Sequence, residues 1–382
     1  MEARSRGRAV AGGIVPLVLV AVLLAYMLGP GSEMLRLGVP LPEISIERVD
    51  FVGSEILATV RNTGPVPVDV ALADVNDRIQ PAAVEPDRHL ERLESALVRI
   101  PFEWNVAEPY AIGITTDDGT RFEKMVDAAA PATRPTWDLA AFFALVGTFV
   151  GVVPVVIGML WLPFLRGMSS ARYHFFLALT AGLLLFLAID ATEEALDISR
   201  NDLAGAFNGA LLVATAIALS FLALYYSGER LAGRTGPAAA GLMISVGIGL
   251  HNFGEGLAIG AAIGIGSLAF GTFLIVGFTL HNVTEGLAIA ASVSRRRPAL
   301  PVLAALAMIA GAPAILGAWT GGFAYSPMAS AIFLGVGAGA ILQVVLVVLR
   351  WIRNEGGRFS SPSVTLGLAS GMLVMYLTSI LV

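Results

Sequence analysis

The chain has no cysteine among its 382 residues. That excludes disulfides, thiolate metal ligands and cysteine nucleophiles, so any metal site must be built from imidazole, carboxylate, amide or thioether groups. Charge is scarce too. Asp, Glu, Lys and Arg make up 14% of the residues, against roughly a quarter in a soluble domain. Hydrophobic residues make up 56% and mean hydropathy is +0.77, so a lipid bilayer is the expected solvent of most of the chain. Basic residues form no clustered face and net charge is −5, which excludes a nucleic-acid partner on electrostatic grounds. The absence of a G-x-x-x-x-G-K-[ST] loop excludes a P-loop engine driven by nucleotide hydrolysis.

What is there falls into three parts. Residues 1–30 open with "MEARSRGR", whose Arg4, Arg6 and Arg8 precede an apolar run from Val10 to about Leu28. A signal peptide begins the same way. This run is long for one, and "AYMLGPGSEM" offers no clear small-x-small cleavage site, so an uncleaved transmembrane anchor is expected. In residues 36–130 charges return. Short β-rich runs such as "EILATVRNTG" and "YAIGITTDDGTRFEKMV" are punctuated by the breakers "NTGP" and "DDGT". A small all-β sandwich of five to seven strands, similar to immunoglobulin-like or fibronectin-like modules, is expected there. His89 lies among charges, where solvent exposure is expected, and no metal-ligand cluster accompanies it. An interaction or shielding module is the default reading of this domain, with its partner unknown. "ATRPT" links it to the third part.

From Trp137 to the end the chain is almost continuously apolar. Eight segments approach the ~20 residues needed to span a bilayer, near 137–165, 173–194, 204–227, 237–263, 267–292, 299–321, 328–350 and 363–382. Arginine placement orients them. Loops carrying Arg166/Arg172, Arg230/Arg234, Arg295–Arg297 and Arg350/Arg353/Arg358 alternate with loops nearly free of basic residues, Arg200 excepted. Cytoplasmic loops carry the excess of Lys and Arg. The N-terminus is then cytoplasmic, and the β domain and C-terminus are extracytoplasmic.

Within this region "HNFGEGLAIG" at 251–260 returns at 281–290 as "HNVTEGLAIA". His and Glu stand four apart in each copy, which on a helix places them on one face, with Asn252 and Asn282 at the flank. Each His falls about 14 residues into its span, near mid-membrane. Consecutive, antiparallel helices carrying one motif suggest a pseudo-two-fold axis in the membrane plane. An ionisable residue at a helix centre costs roughly 2.5–3.5 kcal/mol on insertion scales, so two His and two Glu need an offset. Polar glue between packed helices is the plainer explanation. The duplication at matching depth favours a divalent-cation site on His251, Asn252, Glu255, His281, Asn282 and Glu285, with ligands enough for one ion or for two sharing the carboxylates. The donor set suits zinc, ferrous iron, manganese, cobalt or cadmium, with zinc expected first. Gly256 and Gly286 fit close helix approach and also weaken the helix where the backbone would open.

The paired "HNFGEG" and "HNVTEG", on the fourth and fifth of eight spans, resemble the ZIP family of divalent-metal transporters. The resemblance covers residues 137–382. It implies a membrane all-α bundle of eight helices arranged three-plus-two-plus-three, a mid-membrane site at those six positions, and ion uptake across the plasma membrane into the cytoplasm. Homodimerisation is implied by the resemblance alone. The chain also departs from the family pattern. Gly254 and Thr284 stand where proline usually precedes each motif glutamate, Ala312 precedes Pro313 where many members are acidic, and the inner loop "SGERLAGRTG" has no histidines.

Asp190, Glu193, Glu194 and Asp197 in "AIDATEEALDIS" oppose the helix macrodipole, and a cation-gathering entrance is their functional reading. Asn208 and Gln343 are expected to line the path or to make packing hydrogen bonds, and His174 to be interfacial. Two other functions use the same residues: an intramembrane metal-dependent hydrolase, and a non-transporting metal sensor. The first ordinarily needs three protein ligands, an open position and a separate base. No enzyme is expected.

Overall fold

A computed structural model of the chain describes residues 18–23, 25–26, 41–126, 128–131, 135–201, 203, 207–235, 238–264, 268–294, 298–324, 326–354 and 356–381. Residues 18–23, 25 and 26 of the expected anchor are helical, and its remainder, with Arg4, Arg6 and Arg8, lies outside the described residues. So do Arg295–Arg297, most of "ATRPT", and the side chains of Arg230 and Arg234.

The β domain contains β1 (Ile44–Val52), β2 (Glu55–Asn62), β3 (Val68–Val75), β4 (Arg78–Gln80), β5 (Ala83–Glu85), β6 (His89–Leu90), β7 (Ser95–Pro101), β8 (Tyr110–Thr116) and β9 (Arg121–Val126). One sheet runs β1-β2-β7-β5 and the other β4-β3-β8-β9, with β6 paired to β3. Nine strands therefore replace the five to seven expected. The additional ones, β4 to β6, are two or three residues long and lie among turns, too short to show alternation. The long strands do alternate. Ile56, Ala58 and Val60 of β2 face inward opposite Ile100, Val98 and Ala96 of β7, and they share one core with Val70, Ala73, Ile112 and Ile114 of the other sheet. The Tyr110 hydroxyl accepts from the Asn105 amide (2.9 Å) and donates to Glu108 (3.1 Å), pinning the corner before β8. His89 is exposed beside Asp69, 3.2 Å away.

The rest is helical: α1 (Trp137–Arg166), α2 (Ser170–Asn201), α3 (Gly209–Thr235), α4 (Ala238–Gly264), α5 (Leu268–Val293), α6 (Leu300–Ala324), α7 (Pro327–Asn354) and α8 (Pro362–Leu381). Among the described residues, α1 to α7 contain stretches long and apolar enough to cross a membrane, and α8 is an apolar helix of 20 residues. Outward-facing apolar side chains such as Leu145, Leu211, Leu219, Val276 and Leu366 are what a lipid-facing surface requires.

The weakening of the helix at Gly256 and Gly286 does not open the backbone. Both α4 and α5 run unbroken through their motifs. Gly254 and Thr284 keep the N–H that proline lacks, and the Thr284 hydroxyl only bonds back to His281 O (2.6 Å). The interruptions lie in the neighbouring helices. In α1 a π turn occupies Thr148–Val152, and in α6 the ladder breaks between Gly311 and Pro313.

The motif glycines serve close packing. A Cβ on Gly256 of α4 would strike Ala314 O of α6, and one on Gly286 of α5 would strike Val155 O of α1. In reverse, Gly317 of α6 faces Phe253 O and Gly158 of α1 faces Val283 O. The paired positions are offset by 30 residues between α4 and α5 (253 to 283, 256 to 286) and by 159 between α1 and α6 (155 to 314, 158 to 317). The same relation pairs α2 against α8 with α7 against α3, where Gly182 meets Leu368 O and Gly339 meets Ile217 O. The helical region is thus an inverted pair built around the repeated motif.

Two predictions follow from this packing. Gly256→Ala or Gly286→Ala should destabilise by about 1–3 kcal/mol through forced helix separation, while Gly228→Ala, which meets only the flexible Met243 side chain closely, should be near neutral; thermal unfolding in detergent checks both. In the β domain, hydrogen bonding to Asp69 raises the His89 pKa, with the Asp69 charge adding to it. This contribution to stability is complete below the unfolded value near 6.5 and is lost as pH rises through the folded one. Histidine NMR titration of Asp69→Asn should show the His89 transition moving down in pH.

Candidate metal centre

Unbroken α4 and α5 place each His one turn from its Glu, and the glycine contacts bring the two faces together. At the crossing, Glu255 Oε1 accepts from His251 Nε2 (2.9 Å) and also contacts His281 Nε2. Its other oxygen accepts from Asn282 Nδ2 (3.0 Å). Glu255 is 2% exposed and the two histidines are 4% and 8% exposed. One ligand atom from each of His251, Glu255 and His281 lies within 4.8 Å of the others. Ligands bound about 2 Å from one zinc-sized ion stand roughly 3–4 Å apart, so the cluster needs little rearrangement to take an ion. The bridging protons would leave as it entered.

The asparagines are held by the two helix interruptions. Asn282 Nδ2 donates to Val150 O (3.1 Å), inside the π turn of α1, and Asn252 Nδ2 donates to Ala310 O (3.0 Å), just before the α6 break. A carbonyl can only accept, so each amide must turn its N–H2 outward to the neighbouring helix and leave its own oxygen free. Both Oδ1 atoms are buried without a partner. Glu285, 3% exposed, has no partner on either oxygen; Asn252 lies close by, but not in hydrogen-bond geometry. A buried polar atom left unpaired costs about 1–3 kcal/mol, and more when charged. Four unpaired oxygens around two imidazoles and a carboxylate make a chemically coherent cradle for a divalent cation.

The remaining candidates are dispersed. Asp190, Glu193, Glu194 and Asp197 follow one another along α2, with Asp190, Glu193 and Asp197 exposed and Glu194 half-buried. Asp190 interacts electrostatically with His251, His281 and Glu255, and Glu194 with Asp190, Glu255 and Asp197. Asp197 also pairs with Arg200 (3.2 Å). Asn208 stands one residue before α3 with φ of 44° and is exposed, its backbone oxygen accepting from Leu211 and Leu212; it is a helix-start residue. Gln343 is buried in α7 near Gly228 and Met243, with Oε1 unpartnered. His174 is 8% exposed at the start of α2, close to Gly357 and apart from the cluster. The role of Val150 and Ala310 was not legible beforehand, because which carbonyl beside a π turn or a helix break meets an asparagine depends on contacts between distant segments.

No family model matches this chain, and no curated protein matches it.

The orphaned carboxylate gives a prediction with two opposed signs. Glu285→Gln replaces an unpartnered buried carboxyl group with a neutral amide and should raise the melting temperature of metal-free protein by a few degrees. It should also weaken divalent-metal affinity by roughly tenfold or more, as measured by calorimetric titration. A lower melting temperature without metal would show that Glu285 has a partner that this geometry lacks.

Proposed function

We propose that this protein is a secondary transporter of divalent transition-metal ions, zinc first among them, with the three-plus-two-plus-three layout of the ZIP family. The observation that carries the reading is the convergence of His251, Glu255 and His281 inside an inverted helix pair, surrounded by unpaired oxygens of Asn252, Asn282 and Glu285. A structural polar cluster would be expected to satisfy its own hydrogen bonds; this one leaves ligand atoms exposed to one another.

The route follows the charge. Asp197, Glu194 and Asp190 lead along α2 to the centre, a negative field that concentrates cations at an extracytoplasmic mouth. The helix contacts support a moving part. Glycine-mediated backbone contacts tie α1, α4, α5 and α6 together, and others tie α2 to α8 and α3 to α7. The seam of α4 with α7 has one such backbone contact, Gly337 against Leu250 and His251, and otherwise meets through side chains, Leu334 against Gly254 and Val344 against Gly247. Side chains slide past one another more readily than interlocked backbones, so displacement of the first group would carry the ion from one face to the other. Inward movement of a divalent ion at −100 mV gains about 4.6 kcal/mol, from 2.3 per charge, enough to drive accumulation without nucleotide hydrolysis.

The orientation we adopt, with the arginine-bearing loops in the cytoplasm and the β domain outside, belongs to this proposal, as does the plasma membrane as its site. For the β domain we favour an immunoglobulin-type sandwich. Its sheet orders, 1-2-7-5 and 4-3-8-9, match the ABED and CFG pattern with one added edge strand, and Tyr110 is hydrogen-bonded as a tyrosine corner.

Liposomes containing the purified chain should accumulate labelled zinc down an imposed gradient, and Glu255→Gln/Glu285→Gln should abolish the flux. Tight zinc binding without flux in the wild-type protein would sink the transport reading and leave a metal sensor.

A further inference from the structure

The β domain has two unlike ends, and its aromatic rings gather at one of them. Phe51 near the end of β1, Phe102 and Trp104 after β7, and Tyr110 at the start of β8 meet there; Phe122 is the one other aromatic residue between positions 36 and 130. Trp104 and Tyr110 pack against Phe51 with ring centroids 5.0 and 5.7 Å away, and Phe102 meets Tyr110 edge-on at 5.7 Å. Phe51 and Tyr110 are buried, whereas Phe102 and Trp104 are half-buried on the rim. Beyond them the loop turns at Ala107, whose φ is 66°, and holds Val106 outward, 65% exposed. The opposite end carries the turns at 62–65, 87–94 and 117–120, where Asp87, Arg88, Glu91, Arg92, Asp117 and Asp118 are exposed.

The aromatic end is the tethered one. Ala107 N donates to Ala129 O (2.8 Å), Ala129 N donates to Glu108 O (2.9 Å), and Phe51 forms a β-bridge with Pro131. The chain therefore leaves the domain alongside this loop. Six positions later (131 to 137) α1 begins at Trp137, which is 91% exposed at the start of an apolar span. Six residues reach at most about 22 Å when fully extended, whereas the nine residues of β1 alone extend about 30 Å. The tether keeps the aromatic end near the bilayer surface and lets the charged end stand off from it. The rim also holds an unmet hydrogen bond. Trp104 Nε1 is buried with no partner among the described residues, although a buried indole N–H ordinarily finds an acceptor.

We infer that this loop is a lipid-docking surface, with Phe102, Trp104 and Val106 seated at the headgroup level of the bilayer that α1 enters. Aromatic rings with an apolar body and a wet edge are the side chains that collect at that level. Headgroup oxygens or interfacial water supply the acceptor that Trp104 lacks inside the domain. The attraction is apolar and not electrostatic. Residues 102–109 contain no Lys or Arg, and Glu103 and Glu108 are exposed beside Val106. Those carboxylates disfavour anionic headgroups, so the fitting partner is a zwitterionic phospholipid surface. Docking sets the tilt of the β domain on the bilayer, whatever the helices carry.

The absence of cysteine makes the test direct. Val106→Cys and, at the far end, Leu93→Cys each give one labelling position for an environment-sensitive fluorophore on the full chain in phosphatidylcholine liposomes. The label at 106 should be blue-shifted, and should lose most of its emission to lipids carrying a quencher about 5–10 Å below the headgroups. The label at 93 should lose little. Adding anionic phosphatidylglycerol should leave that difference unchanged or reduce it. Equal quenching at both positions would show that the label, and not the loop, seeks lipid. A blue shift at 106 without quenching would put a protein surface there, and quenching that grows with anionic lipid would mean a basic contact elsewhere. Each of these three results overturns the inference, as does a label at 106 that behaves as in water.

Discussion

Everything in the helical region answers one constraint: six polar side chains at mid-helix must be buried without water. A charge at the centre of a bilayer costs several kcal/mol even when neighbours relax around it. The protein meets part of that cost internally, by stacking both imidazoles and one asparagine on Glu255. It leaves the rest unmet, on Glu285 and on two amide oxygens. A bundle selected for stability alone would close this imbalance with one more donor. A bundle that must capture and then release a cation has reason to keep it, because a fully satisfied site would compete with its own ligand.

Local backbone structure is divided accordingly. The motif helices stay regular, so that the four-residue spacing of His and Glu remains a rigid one-turn separation. The irregularity is displaced to α1 and α6, where a π turn and a proline break expose the carbonyls that orient Asn282 and Asn252. Glycine makes that transfer of strain workable. With Gly256 and Gly286 against Ala314 and Val155, the helix axes approach until an amide on one can reach a carbonyl on the other. Bulkier residues at those four contact points would separate the helices and strand both asparagines.

The membrane class, the spans and the grouping of His251, Glu255 and His281 were legible in the sequence because each rests on a local, repeated signal: hydropathy over a span length, or a spacing of four on one helix face. The span boundaries agree with the helices to within a few residues, apart from α2, which continues past its acidic residues to Asn201, and α3, which runs from Gly209 to Thr235. What was not legible depends on contacts between distant segments. Gly254 and Thr284, standing where the family usually has proline, permit a kink without requiring one, and the backbone bonds win in the absence of proline. The short strands β4 to β6 exist only through pairing to β3 and β7.

An inverted repeat whose halves were chemically identical would have equal reasons to face either side. Here the halves share packing but not polarity. Glycine contacts recur on the paired helices, while Gly254 opposes Thr284, and Glu255 has both oxygens bonded where Glu285 has neither. Symmetric packing lets the two helix groups adopt related arrangements at similar energy. In the transport reading proposed above, the polar asymmetry would give those arrangements different affinities for a cation, and only a difference of that kind lets an ion bias the equilibrium between them.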